Sequence, residues 1–146
     1  MKRMRTLAGI SILALVLAAC SSGTTDTAAE ETAAALDDSN CAAAENFCVG
    51  LVTDIGKVDD KSFNQSAHEG AMAAAAEVGG FYKYIETTDP KDYAANMGQF
   101  TDKSYDVIVT VGFLMAEASA IAAKANPNTK FIGVDQFQGE EVANVT

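Results

Sequence analysis

The chain has 146 residues and a formal net charge of −10, from 20 acidic against 10 basic residues. A surface this acidic repels nucleic acid, whose phosphates are held by clustered lysine and arginine. The single histidine, His68, is not close in sequence to any of the three cysteines, which argues against a zinc site.

The first residues, MKRMR, are basic, and TLAGISILALVLAA follows as an apolar run. That run has the length of a signal-peptide core and is too short for a membrane span. It ends in Leu17-Ala18-Ala19-Cys20, which resembles a bacterial lipobox. The expectation is a signal peptide over 1–19 and an acylated Cys20, which holds the protein at a membrane surface without a spanning helix. An ordinary signal peptide with a chance cysteine is the alternative. Removing Lys2, Arg3 and Arg5 with the leader leaves a net charge of about −13. The stretch SSGTTDTAAEETAAALDDSN has no aromatic, lysine or arginine and cannot bury enough apolar surface to offset its ordering. Residues 20–46 therefore read as a tether. An exported protein permits a Cys41–Cys48 disulfide, which would pin the tether's end to the first strand.

From Cys48 the pattern changes. CVGLVT is a valine-rich strand candidate. SFNQSAHEGAMAAAAE is a helix with a Ser62–Gln65 capping-box spacing and a Gly-Gly stop. His68 falls on this helix as a surface residue. FYKYI is the second strand. In DPKDYAANMGQF, Asp89 caps a helix with Pro90 at its first position, and Tyr93, Met97 and Phe100 share a face. YDVIVTV is the clearest strand. The next helix places Leu114, Ala118, Ile121, Ala122 and Ala125 on one apolar stripe, and KFIGV is the fourth strand. Val142–Val145 reads as the start of a fifth. Alternating strands and helices predict an α/β fold, a parallel sheet with flanking helices. The strands are apolar without clean alternation, as strands covered on both faces are.

In open α/β sheets, ligands bind beyond the carboxyl ends of the strands. There the sequence places Asp54, then Gly112 with Phe113, then Asp135, and Phe63 opens the helix after the first strand. Carboxylates accept hydrogen bonds from hydroxyls and ring N–H groups, and an aromatic face stacks on a planar ring. The set suits a neutral polar ligand with a flat part, such as a nucleoside. It suits phosphate badly, since Lys57 is the only cation near a strand end. Each residue also has a structural role open to it. Asp59 and Asp60 favour a helix N-terminus, Phe63 can pack under the helix start, Asp54 and Asp135 can shape turns, and Gly112 allows a tight turn.

Catalytic motifs fail in detail. Five residues separate Gly50 from Gly56, and Val58 follows Lys57, so no P-loop forms. A calcium loop counted from Asp54 has Gln65 where glutamate is required. There is no G-x-S-x-G elbow and no cysteine–histidine pairing. No cofactor or metal is called for, and a binding protein is expected rather than an enzyme. A lipid-anchored surface enzyme or adhesin is the rival class.

The string VGLVTDIGKVDDKSFNQSAHEG resembles the opening of the basic membrane protein (BMP) family of lipoproteins, the purine nucleoside receptor A-like substrate-binding proteins. DVIVTVGFLM and KFIGVDQF resemble that family's third and fourth strands, and the likeness runs from about Cys48 to Thr146. The resemblance implies the first lobe, over 47–146, of a type I periplasmic-binding-protein fold. It also implies a membrane-anchored protein that delivers purine nucleosides to the permease and ATPase of an ABC importer. A sugar or an autoinducer is the alternative ligand. Carried over by motif, Phe63 would stack on the base, and Asp54 and Asp135 would hydrogen-bond the ligand. Gly112 and Phe113 would shape the floor, and Asn64 would add a contact. Members of the family are more than twice as long as the mature chain, so the lobe is expected to be incomplete.

Overall fold

The computed structural model describes residues 37–146. The leader, Cys20 and the tether as far as residue 36 lie outside the described residues. Four strands, β1 (Cys48–Ile55), β2 (Phe81–Thr87), β3 (Val107–Val111) and β4 (Lys130–Val134), form one parallel sheet in the order β2-β1-β3-β4. Helices α1 (Phe63–Glu77), α2 (Tyr93–Thr101) and α3 (Ala116–Ala125) connect them. The fold is the expected α/β layer. The sheet is covered on both faces because successive residues of its central strands point to opposite sides. Val49, Leu51, Val109 and Val111 pack with Ala71 and Ala75 of α1. Val52 and Ile108 pack on the other face with Tyr93, Met97 and Phe100 of α2 and with Met115 and Ala123.

The face that α3 buries differs from the apolar stripe. Met115, Ser119 and Ala123 are buried, whereas Leu114 and Ile121 are 52% and 62% exposed. Ser119 can face the sheet because its hydroxyl donates to Thr110 Oγ1 at 2.9 Å, so neither buried hydroxyl is left without a partner. Apolar periodicity cannot register a buried serine whose hydroxyl is satisfied.

The start of α1 also differs in detail. The Ser62 side chain makes no capping bond. Gln65 Oε1 reaches back to the Lys61 amide, and Asp60 accepts from the amides of Ser62, Asn64 and Gln65. A carboxylate has two oxygens and full charge to offer the free amides of a helix start, so it outcompetes a serine hydroxyl here. Those amide bonds hold the Asp60 carboxyl below its ordinary value despite some desolvation. Asp89 behaves as read, accepting from the Lys91 amide at 3.0 Å ahead of Pro90.

Residues 37–46, within the stretch read as tether, form turns. Asp38 takes Lys83 of β2 and Lys103 of the α2–β3 turn, both at 2.7 Å. Cys41 and Cys48 are disulfide-bonded with their Cα atoms 5.6 Å apart. His68 is half-buried, its Nδ1 2.8 Å from the Tyr82 hydroxyl. Beyond β4, Val145 makes a single parallel bridge to Phe131. The Asn144 amide there is shared among the carbonyls of Ala123, Asn126 and Thr129.

Two glycine substitutions should have opposite signs. A Cβ at Gly50 would meet the Phe100 ring at 2.7 Å, while one at Gly70, exposed within α1, meets nothing within 4 Å. Gly50→Ala should destabilise by about 1–3 kcal/mol through overpacking. Gly70→Ala should stabilise by about 0.5–1 kcal/mol through helix propensity. Urea unfolding of both variants checks the pair; equal midpoints would show that Phe100 does not pack on Gly50.

Candidate functional site

The helix after β1 lies on one face of the sheet and the helix after β3 on the other. The chain therefore diverges above the carboxyl ends of these neighbouring strands, where a crevice opens. The register pairs Thr53 with Val111, so the next residues, Asp54 and Gly112, face each other across the crevice. Gly112 has φ 108°, a conformation disfavoured for side-chain-bearing residues. A Cβ built on Gly112 would sit 1.9 Å from Asp54 Oδ2. The carboxylate thus lies in the space that any other residue at 112 would fill. The Gly112 amide donates to the Val134 carbonyl at 2.9 Å, tying the turn to β4.

Asp135 follows β4 directly, exposed and with φ 54°. Burial raises the Asp54 carboxyl above its ordinary value, and the charges of Asp135 and Asp60 raise it further. The three carboxylates thus share one region of the sheet edge. Phe63 is 59% exposed and Phe113 66% exposed. Their rings are not in the core. A hollow of about 760 Å³ lies beside Phe113, walled also by Glu117, Phe137 and Gln138. Asn64 is placed differently. It is 6% exposed, and its amide nitrogen lies against Gly56, where it shapes the β1–α1 loop. Cys41 and Cys48 sit at the start of β1, the opposite end of the strand from Asp54. No group of His, Cys, Asp and Glu suited to a metal occurs among the described residues.

Three supporting residues were not singled out for the site from the sequence. Thr53 is fully buried, and its hydroxyl lies within hydrogen-bonding distance of the Asp54 and Gly56 carbonyls and of the Thr87 amide. Glu86 accepts from the Val58 amide at 2.9 Å and holds the β1–α1 loop to β2. Tyr93, read as a core residue, is buried, and that burial, with a smaller push from the Asp54 charge, raises its hydroxyl above the ordinary value. Its position at the head of α2, just past the end of β2, was the available signal.

Comparison with known proteins agrees with this architecture. Residues 47–146 match the family described as ABC transporter substrate-binding protein PnrA-like. The chain is 35% identical over 100 residues to the ABC transporter nucleoside-binding protein BmpA of Lactococcus lactis subsp. cremoris, covering 66% of this chain and 28% of that one. It is 35% identical over 141 residues to a CD4+ T-cell-stimulating antigen of Listeria innocua, covering 92% of this chain and 37% of that one. A solute-binding protein of an ABC transporter system from Aeropyrum pernix superposes with a TM-score of 0.61 at 30% identity, over 68% of this chain and 27% of that one. The chain thus spans roughly a third of the length of the relatives it matches.

The raised Asp54 carboxyl gives a prediction with a definite sign. A carboxyl whose folded pKa exceeds its unfolded value destabilises the native state above that folded value. Asp54→Asn should therefore stabilise the ligand-free protein at neutral pH. The gain should shrink as pH falls through the raised value and vanish below the ordinary 3.8. Thermal melts of the two proteins across the acid range check this; a variant less stable at neutral pH would contradict it.

Proposed function

The chain belongs to the PnrA-like family of ABC transporter substrate-binding proteins, and we propose on that premise that the whole protein captures purine nucleosides for import. The observation that carries the reading is an exposed aromatic ring, Phe63, at the same sheet edge as the half-buried carboxylate of Asp54. A purine offers a flat face to the ring, and the ribose and base offer hydroxyl and N–H donors to carboxylates. The three carboxylates disfavour an anion, which separates a nucleoside from a nucleotide. The Lactococcus relative, named as a nucleoside-binding protein, supports the same class.

In this reading Asp54 and Asp135 accept from the ligand, Gly112 leaves room for Asp54, and Phe63 and Phe113 provide aromatic surface. Asn64 acts through the loop it shapes. The second half of the site belongs to a further lobe, and binding comes from closure of two lobes around the ligand. The permease and ATPase subunits of an ABC importer are the partners. Acylated Cys20 anchors the protein on the extracytoplasmic face of the cell membrane. No helix among the described residues is long and apolar enough to cross a membrane.

Calorimetry on the full-length chain tests the ligand class. Heat with adenosine, guanosine or inosine and none with ribose or glucose is expected; the reverse would replace the nucleoside with a sugar. Phe63→Ala should weaken nucleoside binding ten- to a hundredfold, or about 1–3 kcal/mol. Its stability should change little, because the ring is already exposed. Normal affinity with an early melt would show that the ring serves the fold instead.

A further inference from the structure

Tyr93 poses a problem that the core alone does not explain. It is 4% exposed, and its hydroxyl is buried without a hydrogen-bond partner. A phenylalanine would fill the same space without that cost, so the hydroxyl needs a reason. Tyr93 belongs to the same core cluster as Val52, Met97 and Met115. Its helix begins after the Pro90–Asp92 turn that leaves β2. The Asn96 side chain, three residues further on, donates to Thr87 Oγ1 at 2.9 Å and fixes the helix start against the end of that strand.

The complementary deficit lies on β1. Asp54 is half-buried over Gly112, and among the described residues no hydrogen bond reaches its carboxylate. The charges that act on it are Asp135, after β4, and Asp60, from the β1–α1 loop, both of the same sign. The helix that carries Tyr93 is tied through Asn96 to Thr87, which pairs with Ile55, the residue after Asp54, and the Asp54 charge adds to burial in raising the Tyr93 hydroxyl. A donor without an acceptor and an acceptor without a donor therefore lie at the same end of the sheet. Tyr105 also has a buried hydroxyl without a partner, but the charge near it is Asp38, which already holds Lys83 and Lys103.

We infer that Tyr93 is a positioning residue for ligand capture, its hydroxyl donating to one oxygen of Asp54 so that the other faces the ligand. The inference rests on the reading of Asp54 as a ligand acceptor. The bond forms as ligand fills the crevice and water leaves it, where a phenol–carboxylate bond gains most. The hydroxyl thus offsets, in the occupied state, the repulsion that Asp135 and Asp60 exert on Asp54. It also narrows the choice of ligand. With one oxygen committed to Tyr93, Asp54 presents one oxygen to the ligand rather than two.

The test uses Tyr93→Phe, Asp54→Asn and the double variant of the full-length chain, with inosine and guanosine as probes. Tyr93→Phe should bind about tenfold more weakly than wild type, with a melting temperature unchanged or raised. In the Asp54→Asn background the same change should alter affinity by less than about twofold, because its partner is gone. A Tyr93→Phe protein that binds as tightly as wild type, or loses the same factor with Asn at 54, would overturn the inference. A ligand-free readout separates this from the nucleoside reading. The Tyr93 ring-carbon NMR titration should move to lower pH in Asp54→Asn, as removal of a neighbouring negative charge requires. If wild type binds neither nucleoside, the nucleoside reading fails and this coupling decides the pair: a shifted titration upholds it, and an unmoved one overturns it.

Discussion

The seating of the Asp54 carboxylate over Gly112 organises the candidate site. Parallel pairing of β1 with β3 brings the two residues level, and opposite exits of the following helices leave the crevice open above them. Only a residue without a Cβ leaves space for the carboxylate, and the positive φ at 112 turns the chain away toward Phe113. The cost is electrostatic: a half-buried anion with two further carboxylates acting on it and, among the described residues, no cation to offset them. Such an arrangement is unfavourable in the free protein and is relieved by a ligand that brings hydrogen-bond donors, which is the property expected of a capture site.

At the opposite end of the sheet the incoming chain is held by a covalent bond and ion pairs. The Cys41–Cys48 bond joins the incoming chain to the first residue of β1, and Asp38 bridges two lysines from separate elements. The paired lysines hold the Asp38 carboxyl down at about 2. Exposed ion pairs of this kind add little stability individually, but together with the covalent link they fix where the chain enters. Entry at the amino-terminal edge puts the incoming chain at the opposite end of the sheet from Asp54, Gly112 and Asp135.

Much of this was legible in the sequence because it depends on local pattern. Valine-rich runs, helix starts at Phe63 and Pro90 and the strand ends at Asp54, Gly112 and Asp135 gave the α/β order and the candidate edge. What was not legible depends on partners distant in the chain. Ser119 is buried because Thr110 meets it from β3, and Asp60 displaced Ser62 as the cap because its carboxylate could reach three amides. Asn64, adjacent to Phe63 in sequence, turns into the loop because Gly56 leaves space for its amide. Tyr93 looked like one of three core positions at helical spacing, and only the fold brings it under the influence of Asp54.

The most direct test of the central claim is a crystal structure of the full-length chain soaked with inosine. The account predicts the base against the Phe63 ring and a ligand hydroxyl or N–H on Asp54, above an undisplaced Gly112. Inosine bound away from the carboxyl ends of β1 and β3, with Asp54 in water, would contradict it.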